Sequence, residues 1–285
     1  MILDVVYVLL VSFAMSCECR VLSGTGIFDC TGPIADVIMM GMANPKQVSA
    51  GLHQRLRARA FVVQEDDRRF AFVSMDAGMG SIVLNNRVVE ELQRRFEGYY
   101  THENVAISGT HTHSGPSGFL QDTIFQFAGS GWVDETVNAF TNCAVESIAM
   151  AHQRLAPASA TVVVGRLDGA NINRSPSAYL MNPLAERTLY ESHGDTDKNM
   201  TLLKITLDNG TDIGMFNWFA VHPTSLNNSN TLVSGDNKGH ASYLFERDVN
   251  GVSNPGKGPF VAAFASANLG DVSPNTNGAR CRDTG

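Results

Sequence analysis

At 285 residues, with 44% hydrophobic and 17% charged positions, the chain has the make-up of a soluble globular protein and is not disordered, fibrous or a multi-span membrane protein. Its net charge of −7 and the lack of any long basic run argue against nucleic acid as a partner and against anionic membranes held by charge alone.

Thirteen uncharged residues separate Asp4 from Glu18 and end in the small residues Ala14, Ser16 and Cys17. A spanning helix needs about 20 apolar residues and a signal-peptide core roughly 7–15, so residues 1–19 are expected to be a leader that routes the chain through the secretory pathway, to a secreted or extracellular-face location. Asp4, where a basic residue is usual, leaves a buried first strand or an uncleaved anchor as the alternative. From residue 20 onward no repeat or linker divides the chain, and 20–285 is read as one continuous domain. Residues 58–64 and 70–76 form an expected hairpin around the polar EDDRR turn. Residues 82–96 have the apolar spacing of an amphipathic helix, and 105–107 form a short strand. Val137, Phe140, Ala144, Ile148 and Ala151 recur at steps of three and four, predicting a helix over 133–154. Strands are expected at 161–165, 200–207, 213–221 and 259–266. The order predicts an α/β fold with a mixed sheet. Cys17, Cys19, Cys30, Cys143 and Cys281 contain no C-x-x-C pair and are too sparse for a disulfide scaffold; their odd number leaves a free or processed thiol. Sequons at Asn173, Asn199, Asn209 and Asn227 are compatible with secretion.

Polar clusters rich in His, Ser, Asn and Asp follow the strands, where α/β folds commonly place active-site loops. In Ser108–Pro116 (SGTHTHSGP), residues two apart on an extended segment point the same way, so His111 and His113 can face one pocket. Neutral imidazole is a preferred zinc ligand; equally, such histidines can hydrogen-bond the backbone of a loop. His222 stands at another strand end, in WFAVHPTS, and zinc sites are often assembled from such distant ends. Asp236 and Asp271 are further carboxylates, in turns whose chemistry is usually structural. Ser273, before Pro274, reads as a nucleophile or as a turn serine. Arg174, in NINRSPSAYL, reads as a site cation or as half of a surface salt bridge.

Together GTHTHSGP, NINRSPSAYLxNP, FNWFAVHPTS and NLGDVSPN, in this order, resemble the neutral ceramidases, as do DxTGPxAD (29–36), MMGMAN (39–44) and RLRARAF (55–61). The resemblance implies a zinc amidohydrolase, with one Zn2+ per site, that cleaves the amide of ceramide to sphingosine and a fatty acid, the ceramide being presented from a membrane or micelle. It implies His111 and His222 as zinc ligands, Ser273 as the critical serine, and His113 and Arg174 as lining the site; because amide cleavage needs leaving-group protonation, His113 is read as the carrier of the proton to the departing amine. No obligate protein partner is evident. Two departures stand out. Ser117 replaces a glycine of the family's GPGG, which is expected to alter a backbone torsion. The family also draws a Glu and a Tyr ligand from sequence further on, so a truncated catalytic domain is expected here. The alternative to an enzyme is then an inactive, ceramide-binding form, and for the chain by itself poor solubility or partial order is expected, because half a domain leaves sheet edges and core surface uncovered.

Overall fold

The computed structural model describes residues 21–278. The expected leader, Cys17, Cys19 and Cys281 lie outside the described residues. In chain order, β1 (Val21–Asp29), β2 (Ala35–Met40), β3 (Val48–Leu52), β4 (Arg57–Glu65) and β5 (Arg68–Met75) precede α1 (Ile82–Arg95). Strands β6 (Val105–Gly109) and β7 (Gly115–Pro116) lead into α2 (Thr123–Gly129) and α3 (Asp134–Gln153). Next come β8 (Ala156–Arg166), β9 (Ile172–Asn173), α4 (Pro176–Leu180) and α5 (Leu184–Leu189). The described chain closes with β10 (Asn199–Leu207), β11 (Asp212–Phe219), β12 (Leu232–Val233), α6 (Asp236–Asn250), β13 (Val261–Ser266) and β14 (Val272–Ser273).

The α/β, mixed-sheet expectation holds. Eight strands form the principal sheet in the order β13-β11-β10-β8-β1-β4-β5-β6. Neighbours are antiparallel except at the two ends, where β5 pairs with β6 and β11 with β13 in parallel. Those pairs need crossovers, and α1 and the β12–α6 segment supply them. The sheet curls until its two ends meet: β13 touches β4, β5 and β6, and the Ser266 hydroxyl donates to the Thr110 carbonyl (2.7 Å). Phe61, Phe72, Phe216 and Trp218 stack inside the curl. This curvature brings the carboxyl ends of β6 and β11 together.

Helix α3 covers β1 and β4 through the predicted stripe, for Val137, Phe140, Ala144, Ile148 and Ala151 are all buried. The approach is close because β1 is glycine-bearing: a Cβ at Gly24 would stand 2.0 Å from the Ala151 carbonyl oxygen, and one at Gly26 2.1 Å from that of Ser147. A buried disulfide, Cys30–Cys143, ties the end of β1 to the middle of α3. The cysteine spacing did not foretell this pair, because residues 113 apart are matched only by the fold.

Helix α6 was not expected, and the reason is physical. Its buried positions include Asp236, Lys238, Ser242 and Glu246, while Phe245 and Val249 are exposed. The apolar period that marks an ordinary surface helix is therefore absent. Lys238, Ser242 and Glu246 lie at i, i+4 and i+8, on one face, and serve β13, an end strand whose outer main-chain groups lack a strand partner. Glu246 Oε1 accepts from Ala262 N (3.1 Å), Ser242 Oγ accepts from Phe264 N (3.1 Å), and Lys238 Nζ donates to Ala265 O (3.0 Å). Glu246 also receives Arg59, which reaches Asp76 as well, forming a buried ion cluster beneath the strand ends.

Candidate metal centre

The turn after β6 is held from the facing Ala77–Gly78 segment. Thr110 N donates to Met75 O (2.8 Å) and His111 N to Ala77 O (2.9 Å), and His111 takes a left-handed backbone, φ 71°, uncommon for a residue with a Cβ. His111 and His113 do face one pocket, with ring centroids 4.8 Å apart, but a left-handed turn rather than strand alternation turns them together. His222 follows β11. The preceding Ala220 carbonyl accepts from the buried Asn171 amide, and Asn237 Nδ2 donates to His222 O (3.0 Å).

The three histidines converge. Their ligand atoms lie within 4.8 Å of one another, and His113 Nε2 is 3.2 Å from both His111 Nε2 and His222 Nε2. Their outer nitrogens differ. His111 Nδ1 meets the Gly78 carbonyl at 2.6 Å, and His222 Nδ1 meets the Leu269 carbonyl at 3.0 Å. A carbonyl only accepts, so both Nδ1 atoms carry hydrogen and both Nε2 lone pairs face inward. A backbone or carboxylate partner on the outer nitrogen is the usual support of a metal-ligating histidine. His113 has none: its Nδ1 faces Met42 Sδ at 3.4 Å, and its Nε2–H is left to donate to either neighbour. The ring lies against Gly41, where a Cβ would come within 2.4 Å of Cγ.

Electrostatics favour the uncharged form of His113 and His222. Burial, then the neighbouring His111 and His222 and the Arg174 cation, push His113 down to about 3. His222 is lowered for the same first reason, against the opposing hydrogen bond to Leu269. Neutral imidazoles are what a divalent cation needs.

The remaining expected residues attach through one ribbon. Beyond Leu269 the chain enters β14, and Val272 and Ser273 pair with Asn173 and Ile172 of β9. Arg174 N donates to Asp271 O (2.8 Å), and its side chain pairs with no carboxylate among the described residues, so the surface-salt-bridge reading is set aside. Its charge bears on His113 and His222. Ser273 Oγ accepts from Asn275 N (3.1 Å), and among the described residues no base is bonded to it. Asp236 receives Ser225 N and Leu226 N at 3.0 Å, a structural role, and neither Asp236 nor Asp271 joins the histidines. Ser117 is not a left-handed position, which falls on the next residue, Gly118 (φ 88°), and the Ser117 hydroxyl donates to Gly129 O of α2 (2.9 Å). Of the four sequons, Asn199, Asn209 and Asn227 are exposed, whereas Asn173 is buried and donates to Asp195 O. Sequence reasoning gave no role to Gly41, Met42, Asn171 or Lys238, although all four lie in or beside the segments it quoted.

Beside His111 an apolar cavity of about 280 Å3 is lined by Met39, Met40, Met79, Leu120, Ile124 and Phe125 among others. Ile124 and its neighbour Phe127 are 74% and 91% exposed, so α2 carries apolar surface from the cavity wall to solvent.

The profile of a family described as neutral/alkaline non-lysosomal ceramidase, N-terminal, matches residues 21–285. Neutral ceramidase B of Dictyostelium discoideum is 50% identical over 262 residues, covering 91% of this chain and 36% of that protein. Neutral ceramidase of Drosophila melanogaster is 46% identical over 264 residues, covering 92% and 37%. The crystal structure of neutral ceramidase from Pseudomonas aeruginosa superposes with a TM-score of 0.83 at 39% identity, covering 90% of this chain and 40% of that one. The chain thus spans well under half the length of these relatives.

Proposed function

Because the chain belongs to the neutral/alkaline non-lysosomal ceramidase family, we propose that it supplies the amino-terminal part of a zinc amidohydrolase that cleaves ceramide to sphingosine and a fatty acid. The observation that carries this reading is the convergence of three imidazoles, two of which have their outer nitrogens tied to main-chain carbonyls. That donor set suits zinc, with His111 and His222 as ligands. When bound, zinc supplies Lewis acidity that acidifies water and offsets negative charge developing on the amide oxygen.

The other residues then divide the work. His113, with no carbonyl to fix its outer nitrogen, is free to pass a proton from water at the site to the departing amine, which must be protonated to leave. A protonated imidazole in this dry, cationic surrounding is strongly acidic and gives its proton up readily. Arg174 is suited to hold substrate oxygen. Ser273, without a bonded base, fits hydrogen bonding and positioning better than attack. The apolar cavity would take hydrocarbon at about 0.8 kcal/mol per buried methylene, and the exposed residues of α2 would meet the membrane or micelle that presents the lipid. The buried disulfide and the exposed sequons support passage through an oxidising secretory compartment.

The test is zinc content and fatty-acid release from ceramide in mixed micelles, before and after chelation. Release abolished by chelator and restored by zinc is expected. Release that survives exhaustive chelation would point instead to a metal-independent amidase centred on Ser273. A second reading is a form that holds zinc or ceramide without turnover. Stoichiometric zinc with no release would assign it.

A further inference from the structure

Lys238 is the member of the α6 polar stripe nearest the metal centre, and the proposed chemistry gives it no part. Its side chain is buried, at 3% exposure, and no carboxylate pairs with it among the described residues. Nζ donates instead to two main-chain carbonyls, Phe219 O at 2.7 Å and Ala265 O at 3.0 Å. These are the ends of the parallel strands β11 and β13. Three residues beyond the first comes His222; four beyond the second comes Leu269, whose carbonyl receives His222 Nδ1. One ammonium therefore grips both the root of the ligand and the root of the group that orients it.

Unpaired lysines are rarely buried, because removing the charge from water is costly. Burial indeed pushes Lys238 down to about 7. A methionine or leucine would fill the same space without that cost, yet would take from the Phe219 carbonyl its shortest donor, leaving it the longer bonds from Val221 N (3.1 Å) and Ala267 N (3.3 Å), and would remove the one side chain that spans the Phe219 and Ala265 carbonyls. The cost is intelligible if the spacing of those ends matters.

We propose that Lys238 is a positioning residue of the metal centre: by bridging the Phe219 and Ala265 carbonyls it sets the spacing of the strand ends that carry His222 and Leu269, and so keeps His222 with hydrogen on Nδ1 and Nε2 turned toward His111 and His113. The proposal rests on the zinc reading for its purpose, but the tautomer of His222 can be read without metal. The ligand's outer partner is typically worth 10–100-fold in metal affinity, and that partner is what Lys238 secures.

The experiment compares the 285-residue chain with Lys238→Met and with Ser242→Ala, a variant of the same helix face that loses the bond to Phe264 N without touching either strand end near the histidines. Two quantities are read: zinc affinity by chelator competition, and the His222 ring nitrogens by NMR of metal-free protein with labelled histidine. Lys238→Met is expected to weaken zinc 10–100-fold and to show His222 as a tautomer mixture, while Ser242→Ala keeps both properties whatever its melting temperature. If Lys238→Met does not fold, Lys238→Gln, whose shorter amide can serve one carbonyl but not both, is read in the same way. A single Nδ1–H tautomer with zinc affinity within twofold of the parent, in whichever variant folds, overturns the proposal. A parent that binds no zinc, alongside a tautomer that shifts in Lys238→Met, would leave the positioning role standing and remove the zinc reading instead.

Discussion

Replacing both bridged cysteines, Cys30→Ala with Cys143→Ala, tests how the fold holds the scaffold under the metal centre. The bridge closes a loop of 113 residues. In the chain-entropy treatment, 2.1 plus 1.5R ln n gives about 16 cal/mol/K for such a loop, or about 5 kcal/mol at 25 °C. Against the 5–15 kcal/mol typical of a whole domain, that is a large share. Both cysteines are fully buried, so truncation adds a small packing loss in the same direction. The assay is urea unfolding of metal-free protein followed by circular dichroism. With a slope of about 2–3 kcal/mol/M, the midpoint should fall by roughly 2 M. The slope should also rise, since an unfolded chain without the cross-link exposes more surface. A midpoint shift below about 0.3 M, or free thiols at both positions in the parent protein, would refute the assignment of the bridge as a principal fastener of α3 to β1.

Three further outcomes are expected. Gly26→Ala forces a methyl group against the Ser147 carbonyl, 2.1 Å from the ideal Cβ, and should cost at least about 1–3 kcal/mol in thermal unfolding; an unchanged melt would show that α3 can lift off β1 freely. Arg59→Met leaves the buried Asp76 and Glu246 carboxylates without their cation and should cost about 3–5 kcal/mol by the same urea assay, a loss within 1 kcal/mol contradicting the ion-cluster account. The third concerns pH: folded His113 sits at about 3 against 6.5, so the unfolded chain takes up the proton first and stability falls as pH drops through that window. Between pH 7 and 5 the metal-free protein should lose about 1–2 kcal/mol on this account after screening, and His113→Gln should remove that part of the slope. An identical slope in the variant would show that His113 is not the titrating group.

Where apolar side chains do the packing, the sequence announced its elements. The 58–76 hairpin, α1 and α3 stand within a few residues of their predicted bounds because their buried positions repeat at two or at three and four. Strand β1 stayed silent because the positions that meet α3 are glycines, which contribute closeness instead of hydrophobicity. Helix α6 stayed silent because its inward face is polar and its partner is the main chain of β13. The histidines were legible as residues at strand ends, and the quoted motifs marked the right segments. Their common meeting point was not, since it depends on a sheet that curls far enough to bring β6 to β13, and on carbonyls of Gly78 and Leu269 that carry no side-chain signature.

That curl also orders events during synthesis. Once residue 113 has left the ribosome, two histidines of the cluster exist, yet the third, its orienting carbonyl at Leu269 and the ammonium at residue 238 are still to be made. At about 5–20 residues per second the wait is on the order of ten seconds or more. During it the early pair lacks its third imidazole and the carbonyl that orients it. The three imidazoles come together only after β13 has docked against β6 and the outer nitrogens have found their carbonyls. On the zinc reading proposed above, metal loading would report on folding, and a nascent chain halted short of residue 269 should bind zinc more weakly than one that includes the Leu269 carbonyl.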